Sequence, residues 1–180
     1  MPYNPEKTVV FIHIPKTAGT SIEKALNLTE LHNSFTYPSP QHFQASAVKR
    51  IVGDYWDKMF KFSVKRDIYD RMVSEFLWRL RMLQPPELVR LNLVNTEQSF
   101  NEFLTFVTQV TDFTQPTYDH FRPQNYFLDE PLDMIFDFEN LQELEDHFNI
   151  KLPKLNHRKQ EPNDLLSPRN KDLIYQLENA

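Results

Sequence analysis

Cysteine is absent from the 180-residue chain. That excludes disulfide staples and cysteine-ligated metal sites, and it suits a reducing compartment, so the cytoplasm is the expected address. Long apolar runs are also missing. No stretch approaches the ~18 consecutive apolar residues of a membrane span, and Met1 to Lys7 carries no apolar segment behind a basic one, so neither insertion nor export is expected. Positive charge is not in excess: 20 Lys and Arg stand against 25 Asp and Glu, a net charge of −5. A nucleic-acid partner is therefore not expected, although a local cationic pocket for a small anion is compatible with this balance. The histidines and carboxylates fall into no recognisable ligand spacing, so no metal is expected.

What is present is the material of a packed core. Forty per cent of residues are apolar and fifteen are Phe, against only two Gly, which is enough for one compact domain over 1–180. Thr8 to Ile14, Met59 to Val64 and Leu132 to Phe138 read as strands. Between and after them lie helical patterns: one from Thr20, one from Ser39 and Pro40 through Ile51 to a stop at Gly53, and one from Asp67 to the Pro85-Pro86 pair. The Ser39 start places His42 in a first helical turn. Ser99 with Glu102 predicts a capped helix to about Val110, and Thr111 to Asn125 reads as loop. Asn140 with Glu143 caps a short helix, and Ser167-Pro168 opens a last one. Strands alternating with helices predict an α/β fold whose ligand site lies at the carboxyl ends of parallel strands.

The first strand-to-helix loop, Pro15-Lys16-Thr17-Ala18-Gly19-Thr20-Ser21, has the parts of an anion cradle. A helix start offers backbone N–H groups, Gly19 permits close approach, the hydroxyls of Thr17, Thr20 and Ser21 can donate, and Lys16 brings a mobile cation. The order differs from Gly-x-x-x-x-Gly-Lys-Ser/Thr, because Lys16 precedes the glycine. At the second junction Arg66 stands at a strand end and Ser74 eight residues on. A planar guanidinium and a hydroxyl suit a phosphate.

Phe11-Ile12-His13-Ile14-Pro15-Lys16-Thr17-Ala18-Gly19-Thr20-Ser21 resembles, without gaps, the 5'-phosphosulfate loop of sulfotransferases that use 3'-phosphoadenosine 5'-phosphosulfate (PAPS). Phe62 to Ser74 resembles the 3'-phosphate motif of the same family, in the expected order. The resemblance is densest from Val9 to about Leu80 and points to the carbohydrate (glycan O-) branch. It implies a P-loop-like three-layer fold with a central parallel sheet flanked by helices. It also implies that Lys16 holds the oxygen bridging sulfur and 5'-phosphate, that Thr17, Ala18, Gly19, Thr20 and Ser21 hold that phosphate, and that Arg66 and Ser74 hold the 3'-phosphate. Arg71 matches a frequent family position with an expected structural role. The family's usual Asn-Pro is replaced by Asp67-Ile68, which sets a carboxylate beside the proposed phosphate contact.

In-line sulfuryl transfer to a hydroxyl needs charge stabilisation, which Lys16 would supply, and a base near neutrality. By resemblance His42 aligns with a histidine that serves as base in some glycan sulfotransferases, and His120 in Tyr118-Asp119-His120-Phe121-Arg122-Pro123-Gln124 is the second candidate. His13, among apolar neighbours, reads as structural but close to the loop. Leu152 to Asn156 resembles a late family loop, after which His157, Arg158 and Lys159 could close over the nucleotide. The expected partner is a glycan or small hydroxyl-bearing acceptor, and the expected donor is PAPS. Two other readings are an inactive adenosine 3',5'-bisphosphate-binding protein, suggested by Asp67 and a C-terminus shorter than the family leads one to expect, and a nucleotide kinase, opposed by the loop order.

Overall fold

The computed structural model describes residues 3–28, 41–81, 86–113, 118–153 and 164–179. Three strands, β1 (Val9–Ile12), β2 (Phe60–Lys65) and β3 (Met134–Asp137), form a parallel sheet in the order β1-β2-β3. Val9 pairs with Phe60 and Phe62 with Met134, so β2 is central. Its buried Ser63 hydroxyl donates to the Ile12 carbonyl at 2.7 Å, which satisfies the one polar side chain in the middle of that strand.

Alternation along β1 sorts the core into two faces. Phe11 points to one side, where Phe62, Val64 and Phe136 meet Ile22 of α1 (Gly19–Ala25) and Leu144 of α7 (Leu141–Phe148). Val10 and Ile12 point to the other, against Ala45, Val48 and Val52 of α2 (Ala45–Val52) and Trp56 of the following 3-10 turn. Helices therefore cover both faces, as the sequence predicted. Each fully buried Phe contributes roughly 1.5–3 kcal/mol of transfer free energy.

A third cluster lies under α3 (Ile68–Arg79), where Met72, Val73 and Phe76 meet Phe100, Phe103 and Leu104 of α5 (Glu97–Thr108) and Ile174 of α8 (Pro168–Glu178). Two shorter helices, α4 (Pro86–Val89) and α6 (Gln124–Phe127), complete the described chain. Among the described residues no helix is long and apolar enough to cross a membrane.

Several boundaries differ from expectation. The helix α2 starts at Ala45 after Gln44, so His42 precedes it in a turn; Ser39 and Pro40 lie outside the described residues. Its stop at Gly53, φ 58°, is as expected. Thr96, not Ser99, caps α5, with its hydroxyl accepting from the Ser99 N–H. The earlier start brings the fully buried Phe100 into the helix. The expected loop from Thr111 contains the turn Tyr118–Phe121 and then α6, while Pro86 opens α4 and α3 has already ended at Arg79. Ser167 with Pro168 does start α8. Asn140 holds the N-cap position of α7 without a side-chain cap bond.

Candidate active site

The loop between β1 and α1 turns twice through left-handed backbone, at Lys16 (φ 70°) and Ala18 (φ 65°). Neither residue is glycine, so both conformations carry steric cost and depend on their surroundings. Thr17 between them is fully buried, and its hydroxyl donates to the Ile14 carbonyl at 2.8 Å. That proton holds the loop shape instead of being offered to a ligand. No side chain caps α1, which leaves its start suited to an external anion, with Thr20 exposed and Ser21 buried beside it.

The close approach at Gly19 is made by the protein itself. A Cβ there would stand 1.8 Å from His13 Nε2, so the glycine is required by the His13 ring packed over the loop. His13 Nδ1 in turn meets Glu23 Oε1 of α1 at 2.8 Å, both groups buried.

Arg66 follows directly on β2 and joins the second motif to the first: its NH1 donates to the Lys16 carbonyl at 3.2 Å, across 50 residues of sequence. Its backbone is gripped by Gln124, which accepts from the Arg66 N–H at 3.1 Å and donates to its carbonyl at 2.9 Å. The guanidinium lies 4.2 Å from the Phe138 ring centroid. Burial lowers its pKa from the ordinary value against the opposing pull of Asp70, Glu139 and Asp67, and an arginine remains charged through such a shift. Asp67 Oδ1 accepts from the N–H groups of Tyr69 and Asp70 at 2.9 and 3.0 Å, so the carboxylate that departs from the family pattern is the cap of α3. Ser74 is half-buried and lies one turn before Trp78 on the same helix face. Trp78 meets Lys16, whose Nζ is 5.0 Å from its ring centroid.

The two histidines singled out from sequence come together, and His13 joins them. His42 lies edge-on between His13 and His120, with ring centroids 4.5 and 4.8 Å away. Its Nδ1 is 2.9 Å from the His13 carbonyl oxygen. A carbonyl only accepts, so Nδ1 carries the proton and, in the neutral ring, Nε2 keeps its lone pair. Burial, with His13 and His120 beside it, holds the His42 imidazole well below the usual 6.5, which keeps it neutral and able to accept a proton at physiological pH.

His120 Nδ1 lies 3.0 Å from Glu75 Oε2, and Glu75 Oε1 accepts from Arg79 Nε at 2.7 Å. Burial alone would raise the Glu75 carboxyl; His120 and Arg79 outweigh it and hold the group well below the usual carboxylate range. Arg71 spends its guanidinium on the segment carrying His120, donating to the carbonyls of His120 and Arg122 at 3.2 Å each and to Glu178 of α8. That geometry matches the structural role expected for it.

His42 also borders a cavity of about 440 Å3 lined by Gln44, Arg50, Asp119, Arg122, Tyr126 and apolar residues of α2. This lies within the ~300–1,000 Å3 typical of small-molecule sites. Among the described residues no group of three histidines or carboxylates could hold a metal ion. Arg158 and its neighbours His157 and Lys159 lie outside the described residues.

Sequence reasoning passed over Glu75, Trp78 and the grip of Gln124 on Arg66. The Glu75 and Arg79 pair was visible as an i, i+4 spacing, but its burial was not.

A sequence model of the family described as "Sulfotransferase family" matches residues 1–170. No curated protein and no solved structure matches the chain.

Proposed function

The chain belongs to the sulfotransferase family, which makes it a PAPS-dependent sulfotransferase, and from that premise we propose that it sulfates a hydroxyl of a carbohydrate bound in the cavity beside His42. When bound, PAPS supplies the sulfuryl group and, as leaving group, adenosine 3',5'-bisphosphate. The residues present fit this donor: an uncapped helix start after two left-handed turns, with the Arg66 guanidinium donating to the Lys16 carbonyl. Lys16, with the backbone of Thr17, Ala18, Gly19, Thr20 and Ser21, would hold the 5' end. Arg66 and Ser74 would hold the 3'-phosphate.

In the mechanism Lys16 neutralises charge that develops on the leaving oxygen, an interaction that strengthens in a loose transition state. His42 takes the acceptor's hydroxyl proton on Nε2, because its Nδ1 proton is committed to the His13 carbonyl. His120 stands behind it as a second imidazole. The observation that carries this reading is that same bond. It ties the histidine bordering the cavity to the residue three positions before Lys16, so that base and cation share one support.

The carbohydrate acceptor is supported by the cavity lining. The Gln44 amide can accept from hydroxyl groups, Arg50 and Arg122 can donate, and Phe43, Ala47 and Ile51 offer apolar surface for sugar C–H groups. The test is transfer of labelled sulfuryl from PAPS in the presence of a chelator, across glycans, simple alcohols and phenols. Transfer to glycan hydroxyls is expected, with the rate in His42→Ala losing its rise on histidine deprotonation. Transfer confined to phenols would contradict the acceptor class. Magnesium-dependent consumption of ATP would contradict the reaction.

A further inference from the structure

Glu75 belongs to neither phosphate motif, yet it is 1% exposed and sits against the histidine cluster. Its two carboxylate oxygens have different partners. Oε1 accepts from Arg79 Nε, and Oε2 faces His120 Nδ1. An arginine can only donate, so Arg79 holds Glu75 as an acceptor, and an ionised carboxylate holds His120 with its proton on Nδ1 and its lone pair on Nε2.

Other charged and titratable groups meet here from separate elements. Lys16 of the phosphate loop acts on Glu75 electrostatically and reaches Trp78, whose ring centroid is 5.3 Å from that of His120. His42 lies against the other side of His120, and His13 with Glu23 closes the far end of the row. Arg79 stacks between Trp78 and Phe121.

We propose that Glu75 is a positioning residue of the transfer: it fixes His120 through Nδ1 and keeps one buried negative charge beside His42 and Lys16, so that the histidine cluster can take up the acceptor's proton. The inference rests on the sulfotransferase reading above. As the bond from acceptor oxygen to sulfur forms and the bond from sulfur to the leaving oxygen breaks, the hydroxyl proton passes to an imidazole nitrogen. The cluster then carries one more positive charge in a place with little water. Glu75, bonded to His120 and electrostatically felt by His42, is the counter-charge that makes this uptake affordable.

The substitution Glu75→Gln gives a specific outcome, because it leaves one acceptor where there were two. Arg79 cannot accept, so the Gln oxygen goes to Arg79 and the Gln NH2 faces His120. His120 Nδ1 must then accept, which moves the ring proton to Nε2 and removes the lone pair there.

Side-chain nitrogen NMR of the full chain, without donor or acceptor, reads the tautomer directly. In the unmodified protein His120 is expected to carry its proton on Nδ1 and in Glu75→Gln on Nε2. Release of adenosine 3',5'-bisphosphate from PAPS is expected to slow about tenfold or more in the variant, with KM for PAPS within about twofold. A folded Glu75→Gln with unchanged tautomer or unchanged rate overturns the proposal. If the variant fails to fold, the unmodified protein still decides: a proton on His120 Nε2 there overturns it equally, and one on Nδ1 upholds it. Absence of any PAPS turnover in the unmodified chain would strike the transferase reading first and the role of Glu75 with it. A failure confined to the variant leaves that reading standing.

Discussion

At the end of β1 the chain enters α1 through two left-handed residues and leaves the helix start without a side-chain cap; at the end of β2 it enters α3 through Asp67, whose carboxylate takes the first amides itself. The two strand–loop–helix units are neighbours in one sheet, each carries a cation, Lys16 or Arg66, at its junction, and the Arg66 guanidinium reaches the Lys16 carbonyl. On the proposed reading they differ in what would recognise an anion. In the first unit it would be the backbone of a strained loop held by Thr17, His13 and Gly19. In the second the helix dipole is already answered, and recognition would fall to the side chains of Arg66 and Ser74. The lesson is that similar local topology can leave a helix start open to an external anion or fill it from within, according to whether the capping position carries a carboxylate.

The largest expected effect breaks the first unit. Lys16→Ala should lower sulfuryl transfer about a hundredfold or more, with the thermal midpoint nearly unchanged, since both residues meet the same positive φ. Full activity in the variant would remove Lys16 from the mechanism. Next comes pH. The folded His42 pKa lies below its ordinary 6.5, so between those values the unfolded chain binds more protons. The stabilising contribution of His42 is then complete above about pH 6.5 and lost as pH falls toward the folded value. Denaturant midpoints should drop between pH 7 and pH 5, above the range where carboxylates with an ordinary value of 4.5, such as Glu75, take protons in the unfolded chain. His42→Gln should flatten that slope. The smallest effect sharpens the second unit: Asp67→Ala should cost about 1 kcal/mol of stability through the lost cap, without weakening affinity for adenosine 3',5'-bisphosphate. Weaker binding in that variant would mean that Asp67 supports the ligand site as well as the helix.

Both cations were legible in the sequence because they follow apolar strands, and His42 and His120 because their segments carry the family resemblance. The sheet was legible because Val9 to Ile12 is a continuous apolar run and Phe60 to Lys65 alternates apolar with polar residues. What escaped were relations set by tertiary packing. His13 read as a strand residue among apolar neighbours, yet its ring packs over Gly19 and its carbonyl holds His42, 29 residues away. Glu75 was passed over in the sequence, and only the fold brings His120, 45 residues on, to its second oxygen. The start of α2 was misjudged because Ser39-Pro40 is a strong local signal, whereas the helix begins where Ala45 and Val48 can be buried against β1.

The central claim is that Lys16 and Arg66 form one metal-independent site for a nucleotide bisphosphate. Calorimetric titration of the unmodified chain with adenosine 3',5'-bisphosphate in the presence of a chelator, set beside ATP with magnesium, tests it most directly. Clear binding of the bisphosphate and little of ATP is the result the account requires. No binding of the bisphosphate, or preference for ATP with magnesium, would contradict it.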